Sequence, residues 1–131
     1  MGSWGTGSFE NDDAKDWLAT LSAVTPDDLM QILVRAAEDP EYLEAPAASV
    51  AVAAAEVVAA WSGSPASTVP REIVEWTKKD PQPPSPDLKA AAVRALERVR
   101  RNSEVKDLWM EADGLNDWIL AIRELQARLG G

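Results

Sequence analysis

The sequence predicts an all-α protein, a single compact bundle of six or seven short helices packed around a central Ala-rich helix. Apolar residues recur at helical spacing, capping residues and prolines punctuate the chain, and no segment alternates apolar and polar residues as a strand does. The chain has 131 residues, of which 46% are apolar, enough for one core. We expect one domain over residues 1–131, with an aromatic and Gly-rich lead-in at 1–10 and a Pro-rich internal connector at 80–86.

The first two helices are predicted from capping residues and apolar stripes. Asn11 or Asp12 is able to cap a helix that begins directly after it. The buried stripe of this helix is expected to comprise Ala14, Trp17, Leu18, Leu21 and Val24. A second helix is expected after Thr25, because Pro26 suits a first helical position. It should end before Asp39-Pro40, since the residue before a proline is pushed out of helical geometry.

An Ala-rich helix is predicted from about Pro46 to Trp61, with Gly63 marking its end. This helix is apolar nearly all round, and its polar residues are Ser49 and Glu56. A helix of this composition is typical of a central position, packed on most sides.

The second half of the chain is predicted to hold four more helices. A short helix over residues 70–79 precedes the Pro-rich connector. Ser85 and Ser103 are expected to cap the next two helices, because a serine hydroxyl accepts a hydrogen bond from the first turn. Gly114 separates the last helix from the one before it.

The composition excludes most familiar catalytic and metal-binding arrangements. The chain has no Cys and no His, so it lacks a thiol nucleophile, an imidazole base, a Ser-His-Asp triad and a Cys/His zinc site. No cofactor is expected. The sequence shows neither an export signal nor an apolar run of membrane-spanning length, so we expect a cytoplasmic protein that does not bind membranes.

Negative charge is concentrated in the first part of the chain. Residues 1–60 contain 11 acidic and 2 basic residues, whereas residues 61–131 contain 11 of each. This distribution either keeps the protein soluble or attracts a basic protein partner. Nucleic acid is not expected as a partner, because its phosphates are drawn to basic surfaces. The candidate partner-binding residues are Trp4, Asp13, Asp16, Asp27, Asp28 and Glu38.

Aromatic residues are mostly tryptophans, six of them beside one Tyr and one Phe. Most fit the apolar faces of predicted helices and are expected to build the core. Trp4 and Trp76 are the least constrained by the pattern, so each is a candidate exposed contact residue. Tyr42 is interpreted as an aromatic anchor over the turn before Pro46 rather than as a catalytic phenol.

Glu56 is the candidate buried charge or cleft residue. A carboxylate among Ala and Val side chains is costly to bury without a partner. Glu56 therefore either pairs with an arginine of a packed neighbour, Arg94 or Arg98, or lies on an exposed side of its helix. The functional alternative makes Glu56 a perturbed acid or ligand in a cleft. With Asp12 or Asp16 it would then form the metal site of a divalent-metal hydrolase or transferase.

Four segments together resemble a bacterial family of uncharacterised proteins, domain-of-unknown-function family 4259. They are the opening Trp4-Gly5-x-Gly7-x-Phe9-x-Asn11-Asp12, the turn at residues 42–46, the Ala-rich stretch at 53–60 and Leu108-Trp109-x-Glu111. The resemblance covers nearly the whole chain and thins between residues 62 and 86. It implies a stand-alone bacterial cytosolic protein of one domain, and it brings no activity with it.

Three functional hypotheses remain open. The leading one is a non-enzymatic acidic binding protein, an inhibitor or immunity-like protein, whose first two helices present carboxylates to a basic macromolecule. The second is the metal-dependent enzyme centred on Glu56, and the third is a structural or oligomer-forming helical protein.

Overall fold

Seven α-helices and one 3₁₀ helix form the regular structure of a computed structural model that describes residues 8–67, 69–79 and 82–130. No strand occurs in these ranges, so the predicted all-α class is confirmed. The α-helices are α1 (Asp12–Leu18), α2 (Pro26–Glu38), α3 (Ala45–Trp61), α4 (Arg71–Thr77), α5 (Pro86–Arg101), α6 (Glu104–Glu111) and α7 (Leu115–Arg128). The 3₁₀ helix spans Leu21–Ala23.

Capping side chains begin several helices where the sequence predicts them. The Asn11 side chain accepts a hydrogen bond at 2.8 Å from a backbone N–H in the first turn of α1. At the start of α2, the side chains of Thr25 and Asp28 each accept from the other residue's backbone N–H. Ser85 and Ser103 cap α5 and α6. These bonds satisfy N–H groups that the start of a helix leaves without a partner.

The first helix is shorter than its apolar stripe predicts. It ends at Leu18, and Leu21–Ala23 form a separate 3₁₀ turn. Between them, the Thr20 hydroxyl donates to the Trp17 carbonyl at 2.7 Å, a local side-chain bond that competes with helix continuation. Leu21 is fully buried all the same. The stripe therefore predicts the burial of Ala14, Leu18 and Leu21, whereas Trp17 and Val24 are half-buried, and it does not predict the length of the helix.

The helix α3 lies at the centre of the fold and packs against each of the other six α-helices. Every residue from Ala51 to Ala59 is buried, as the all-round apolar sequence predicts. Alanine side chains suit this position, because small residues let neighbouring helices approach on several sides. Although α3 is mostly apolar, no helix in the described ranges is long and apolar enough to cross a membrane.

Trp76 is a core residue, which corrects its prediction as an exposed contact. Its side chain is 7% exposed, and its indole N–H donates to the Val24 carbonyl at 2.8 Å. Its ring meets Trp61 edge-on, with 5.2 Å between the ring centroids. The sequence pattern misses this burial because α4 has only seven residues, too few for a complete helical stripe. Trp4 lies outside the described residues.

The loop between α2 and α3 is held against α5 and α6. The Arg98 guanidinium donates to the backbone carbonyls of Asp39 and Glu41. At the start of α6, the Glu104 carboxylate accepts from the Ala45 backbone N–H at 2.6 Å. The backbone N–H of Glu104 also donates to this loop, at 2.8 Å. These bonds fix the loop that carries Tyr42.

Candidate functional site

The carboxylate of Glu56 forms a buried, two-point ion pair with Arg128 of α7. Glu56 is 5% exposed, and its two oxygens accept from Nη1 and Nη2 of Arg128 at 2.9 and 3.1 Å. The Ser8 hydroxyl donates to the same carboxylate at 2.6 Å. A planar guanidinium matches a carboxylate in this geometry, and the additional hydrogen bond helps to offset the cost of burying both charges.

Arg128 is also held by a second carboxylate and by a backbone carbonyl. Its Nε donates to Glu124 at 2.6 Å, and its Nη1 donates to the Ser64 carbonyl at 3.2 Å. Burial alone would lower the pKa of Arg128. The hydrogen bonds to Glu56 and Glu124, together with the charges of both carboxylates, outweigh burial and raise this pKa above its ordinary value. Arg128 is therefore a permanent cation at the end of α7.

Glu56 is thus buried and paired with an arginine, but the partner is neither of the two that the sequence suggested. Arg94 is exposed on α5, and Arg98 binds the carbonyls of the α2–α3 loop. The actual partner lies 72 residues after Glu56. Spacing along the chain does not reveal it, because α3 contacts six helices and each of them is a candidate source of the cation.

An open cleft of about 280 Å³ lies beside this ion pair. Its lining is mixed, and carboxylates outnumber cations in it. The lining residues are Ser8, Phe9, Glu10, Glu56, Ala66, Ser67, Pro70, Ala121, Glu124 and Arg128. Both Glu56 oxygens already accept hydrogen bonds. The arrangement therefore holds a charge pair together and does not leave this carboxylate as a free base beside a nucleophile.

The residues named for a metal site are not gathered into one carboxylate cluster. Asp12 and Asp16 lie on α1, whereas the Glu56 carboxylate is bonded to Ser8 and Arg128. Over the residues that the structure describes, no group of three or more acidic side chains is placed to hold a metal ion. No observed geometry favours the metal-dependent hypothesis.

The acidic partner-binding candidates differ in their exposure and in whether their carboxylates already accept a hydrogen bond. Asp16, Asp27 and Glu38 are exposed, and no ion pair between described residues involves them. Asp13 is half-buried. Asp28 is also half-buried, and its carboxylate is used in the capping box of α2. The helices that carry these residues both pack on α3.

Sequence reasoning missed a contact between Tyr42 and α6. The Tyr42 ring is 51% exposed, and its hydroxyl donates to the Asp107 carboxylate. This hydrogen bond is the main cause that raises the pKa of Tyr42 to about 12, and the negative charges of Asp107, Glu104 and Glu111 act in the same direction. Tyr42 therefore anchors its loop to a helix 65 residues further along the chain, a distance that no local sequence signal bridges.

Comparison with known proteins identifies the family to which this chain belongs. A family model described as a domain of unknown function, DUF4259, matches residues 2–120. Glu56, Tyr42 and α6 lie within the matched range, whereas Arg128 lies beyond it. The comparisons with curated proteins and with solved structures found no match.

Replacing Glu56 is expected to destabilise the fold strongly. Glu56→Ala leaves the Arg128 guanidinium largely buried without its main partner, so the free energy of unfolding should fall by about 3 to 5 kcal/mol. Urea unfolding measures this loss. Glu124→Ala is a matched control, because Glu124 bonds the same guanidinium but is 61% exposed, and its loss should cost at most about 1 kcal/mol. An unchanged urea midpoint at equal slope for Glu56→Ala would contradict the buried pair.

The single tyrosine of the chain allows a direct titration. The ultraviolet absorbance of tyrosinate should rise with a midpoint at the pKa of about 12, and Asp107→Ala should move the midpoint towards the ordinary value of about 10. Because the raised pKa reflects a bond to the protonated phenol, the contribution of this bond to stability is complete below about pH 10 and is lost as the pH rises through the folded-state pKa.

Circular dichroism at each pH checks that the helices persist during this titration. Equal midpoints in the wild type and in Asp107→Ala would show that the hydrogen bond does not form in solution.

Proposed function

We propose that this protein is a non-enzymatic acidic binding protein. The chain belongs to the DUF4259 family, a domain of unknown function. In this role it is an inhibitor or immunity-like protein that binds a basic protein partner, and its proposed setting is the bacterial cytoplasm. The observation that carries the proposal is a set of exposed carboxylates on α1 and α2 that no base in the described ranges pairs.

The acid-rich first part of the chain has few bases of its own to neutralise it. Residues 1–60 contain 11 acids but only 2 bases, Lys15 and Arg35. Of the ion pairs between described residues, one joins Glu56 to Arg128, and the others lie entirely after residue 60. The negative charge of this part of the chain acts on an approaching cation over a Debye length of about 8 Å at physiological salt.

The acids of α1 and α2 are presented by helices that are themselves fixed. Both helices begin at a side-chain cap and bury an apolar stripe, which includes Leu18 in α1 and Leu33 in α2. Groups held on a rigid element lose little conformational freedom when they bind. Charge complementarity of this kind speeds encounter and selects against partners of the wrong sign.

The non-enzymatic part of the proposal is supported by the way Glu56 is used. A general base must lie within hydrogen-bonding reach of the proton that it removes. Both Glu56 oxygens instead accept from Arg128, and one of them also accepts from Ser8. Glu56, the buried acid of the described residues, is therefore engaged in an ion pair that joins α3 to α7.

Two charge variants test the proposal, and each removes three negative charges. The first neutralises exposed acids of α1 and α2, and it carries Asp16→Asn, Asp27→Asn and Glu38→Gln. The matched control neutralises exposed acids of α4, α5 and α7, and it carries Glu72→Gln, Asp87→Asn and Asp117→Asn. The net charge of the two variants is identical, so only the position of the lost charges differs.

The immobilised wild-type protein should capture a basic protein from a native bacterial lysate at low salt and release it at high salt. The α1–α2 variant should bind this protein about tenfold more weakly, because three exposed ionic contacts are worth about 1 to 2 kcal/mol together. The control variant should bind within about twofold of the wild type. Capture of background proteins alone, or equal weakening by both variants, would contradict the proposal.

A further inference from the structure

The cleft beside the Glu56–Arg128 pair combines charged and apolar lining residues, and the proposed function does not use it. Its apolar lining residues are Phe9, Ala66, Pro70 and Ala121. Its volume of about 280 Å³ is just below the range of roughly 300–1,000 Å³ that is usual for pockets of drug-sized ligands. The cleft therefore has room for one small molecule or one long side chain, and not for a folded segment of a partner.

Three segments form the cleft, and hydrogen bonds hold them together. They are residues 8–10 before α1, residues 66, 67 and 70 between α3 and α4, and one face of α7 that carries Ala121, Glu124 and Arg128. Ser8 ties the first segment to Glu56 at 2.6 Å. Arg128 ties α7 to the loop after α3, through the Ser64 carbonyl at 3.2 Å. Because these bonds are already formed, little ordering of the lining is needed when a ligand binds.

The charged groups of the cleft favour a cation over an anion. The lining has three carboxylates and one guanidinium, that of Arg128. This guanidinium is already bonded to Glu56, to Glu124 and to the Ser64 carbonyl. An anionic ligand would therefore find no unpaired cation in the lining and would meet a formal excess of negative charge, which repels it.

Two of the carboxylates in the lining have oxygens available to a ligand. Glu10 is exposed, and no ion pair between described residues involves it. Glu124 is 61% exposed and uses its Oε2 for Arg128, whereas a carboxylate has two oxygens that accept hydrogen bonds. The ring of Phe9 adds to the attraction, since an aromatic face attracts a cation that lies over it.

The lining suits an organic cation better than a metal ion. Mg²⁺ and Ca²⁺ take about six or more oxygen ligands, and within the described ranges no group of three or more acidic side chains is placed to hold a metal ion. An ammonium or guanidinium group binds through hydrogen bonds from its own N–H groups. The aliphatic stem that carries such a group packs well on apolar side chains, which the lining also supplies.

We propose that this cleft binds a small organic cation, an ammonium or guanidinium group on a short aliphatic stem. The cationic group meets Glu10 and Glu124, and the stem lies against Phe9, Pro70 and Ala121. This chemistry is shared by a free small amine and by a Lys or Arg side chain of another protein. The inference goes beyond the proposed function, because none of the exposed acids of α1 and α2 lines the cleft.

A titration followed by nuclear magnetic resonance, with n-butylguanidinium as the probe, tests this inference. The probe should bind at low salt with a Kd of about 1 mM, and it should shift the backbone amide signals of Glu10, Ala66 and Ala121. The neutral compound 1-pentanol and the anion pentanoate have similar stems but no cationic group. They should shift these signals only at concentrations about tenfold higher or more.

Three variants distinguish the cleft from the acidic surface in general. The double variant Glu10→Gln, Glu124→Gln should weaken binding of the probe about tenfold, because it removes two carboxylates while keeping an oxygen acceptor for Arg128. The matched control Asp27→Asn, Glu38→Gln loses the same charge outside the cleft lining and should bind within about twofold of the wild type. Ala121→Phe fills the cleft without changing its charge, so it should abolish the shifts.

A blocked Gly-Gly-Arg-Gly-Gly peptide distinguishes the two sources of the cation. Shifts of the same signals by this peptide point to a protein side chain, whereas shifts by n-butylguanidinium alone point to a free small molecule. Urea unfolding checks that each variant is folded.

The absence of shifts at the cleft residues, equal binding of 1-pentanol, equal weakening by both charge variants, or unchanged affinity of folded Ala121→Phe would each overturn the cation site. These results leave the proposed function standing, since capture of a basic protein through α1 and α2 tests that function separately.

Discussion

The helix α3 carries a buried carboxylate beside an open cleft, and that charge constrains how distant parts of the chain are arranged. Six helices surround α3, so an unpaired carboxylate there would be strongly destabilising. Arg128 comes to Glu56 from the last turn of α7, and Ser8 comes to it from before α1. Three distant parts of the chain therefore meet at one carboxylate.

The positions of the helices could be predicted because the responsible signals are local. Thr25, Ser85 and Ser103 cap the helices that the sequence assigned to them, and the Ala-rich segment is the central helix. The contacts that join helices could not be predicted. Because α3 is apolar nearly all round, its sequence does not indicate which neighbouring helix faces Glu56. Nothing in that sequence therefore distinguishes Arg128 from Arg98 as the partner of Glu56.

Glu56 differs from the exposed acids of α1 and α2 in how its charge is used. Glu56 is neutralised inside the molecule, where it stabilises the packing of α3 on α7. Asp16, Asp27 and Glu38 stay at the surface of α1 and α2, where their charge remains available to a partner. The sequence indicated the excess of acid, but it did not indicate the Tyr42–Asp107 contact that joins the α2–α3 loop to α6.

The coupling energy between Glu56 and Arg128 tests most directly whether this pair holds the central helix to the last one. A double-mutant cycle of Glu56→Gln, Arg128→Met and the combined variant, followed by urea unfolding, measures it. Each single variant should be strongly destabilised, and the combined variant should lose less than the sum of the two, with a coupling of about 1 to 3 kcal/mol. Losses that simply add would contradict the account, since they would mean that the two side chains do not interact in the folded protein.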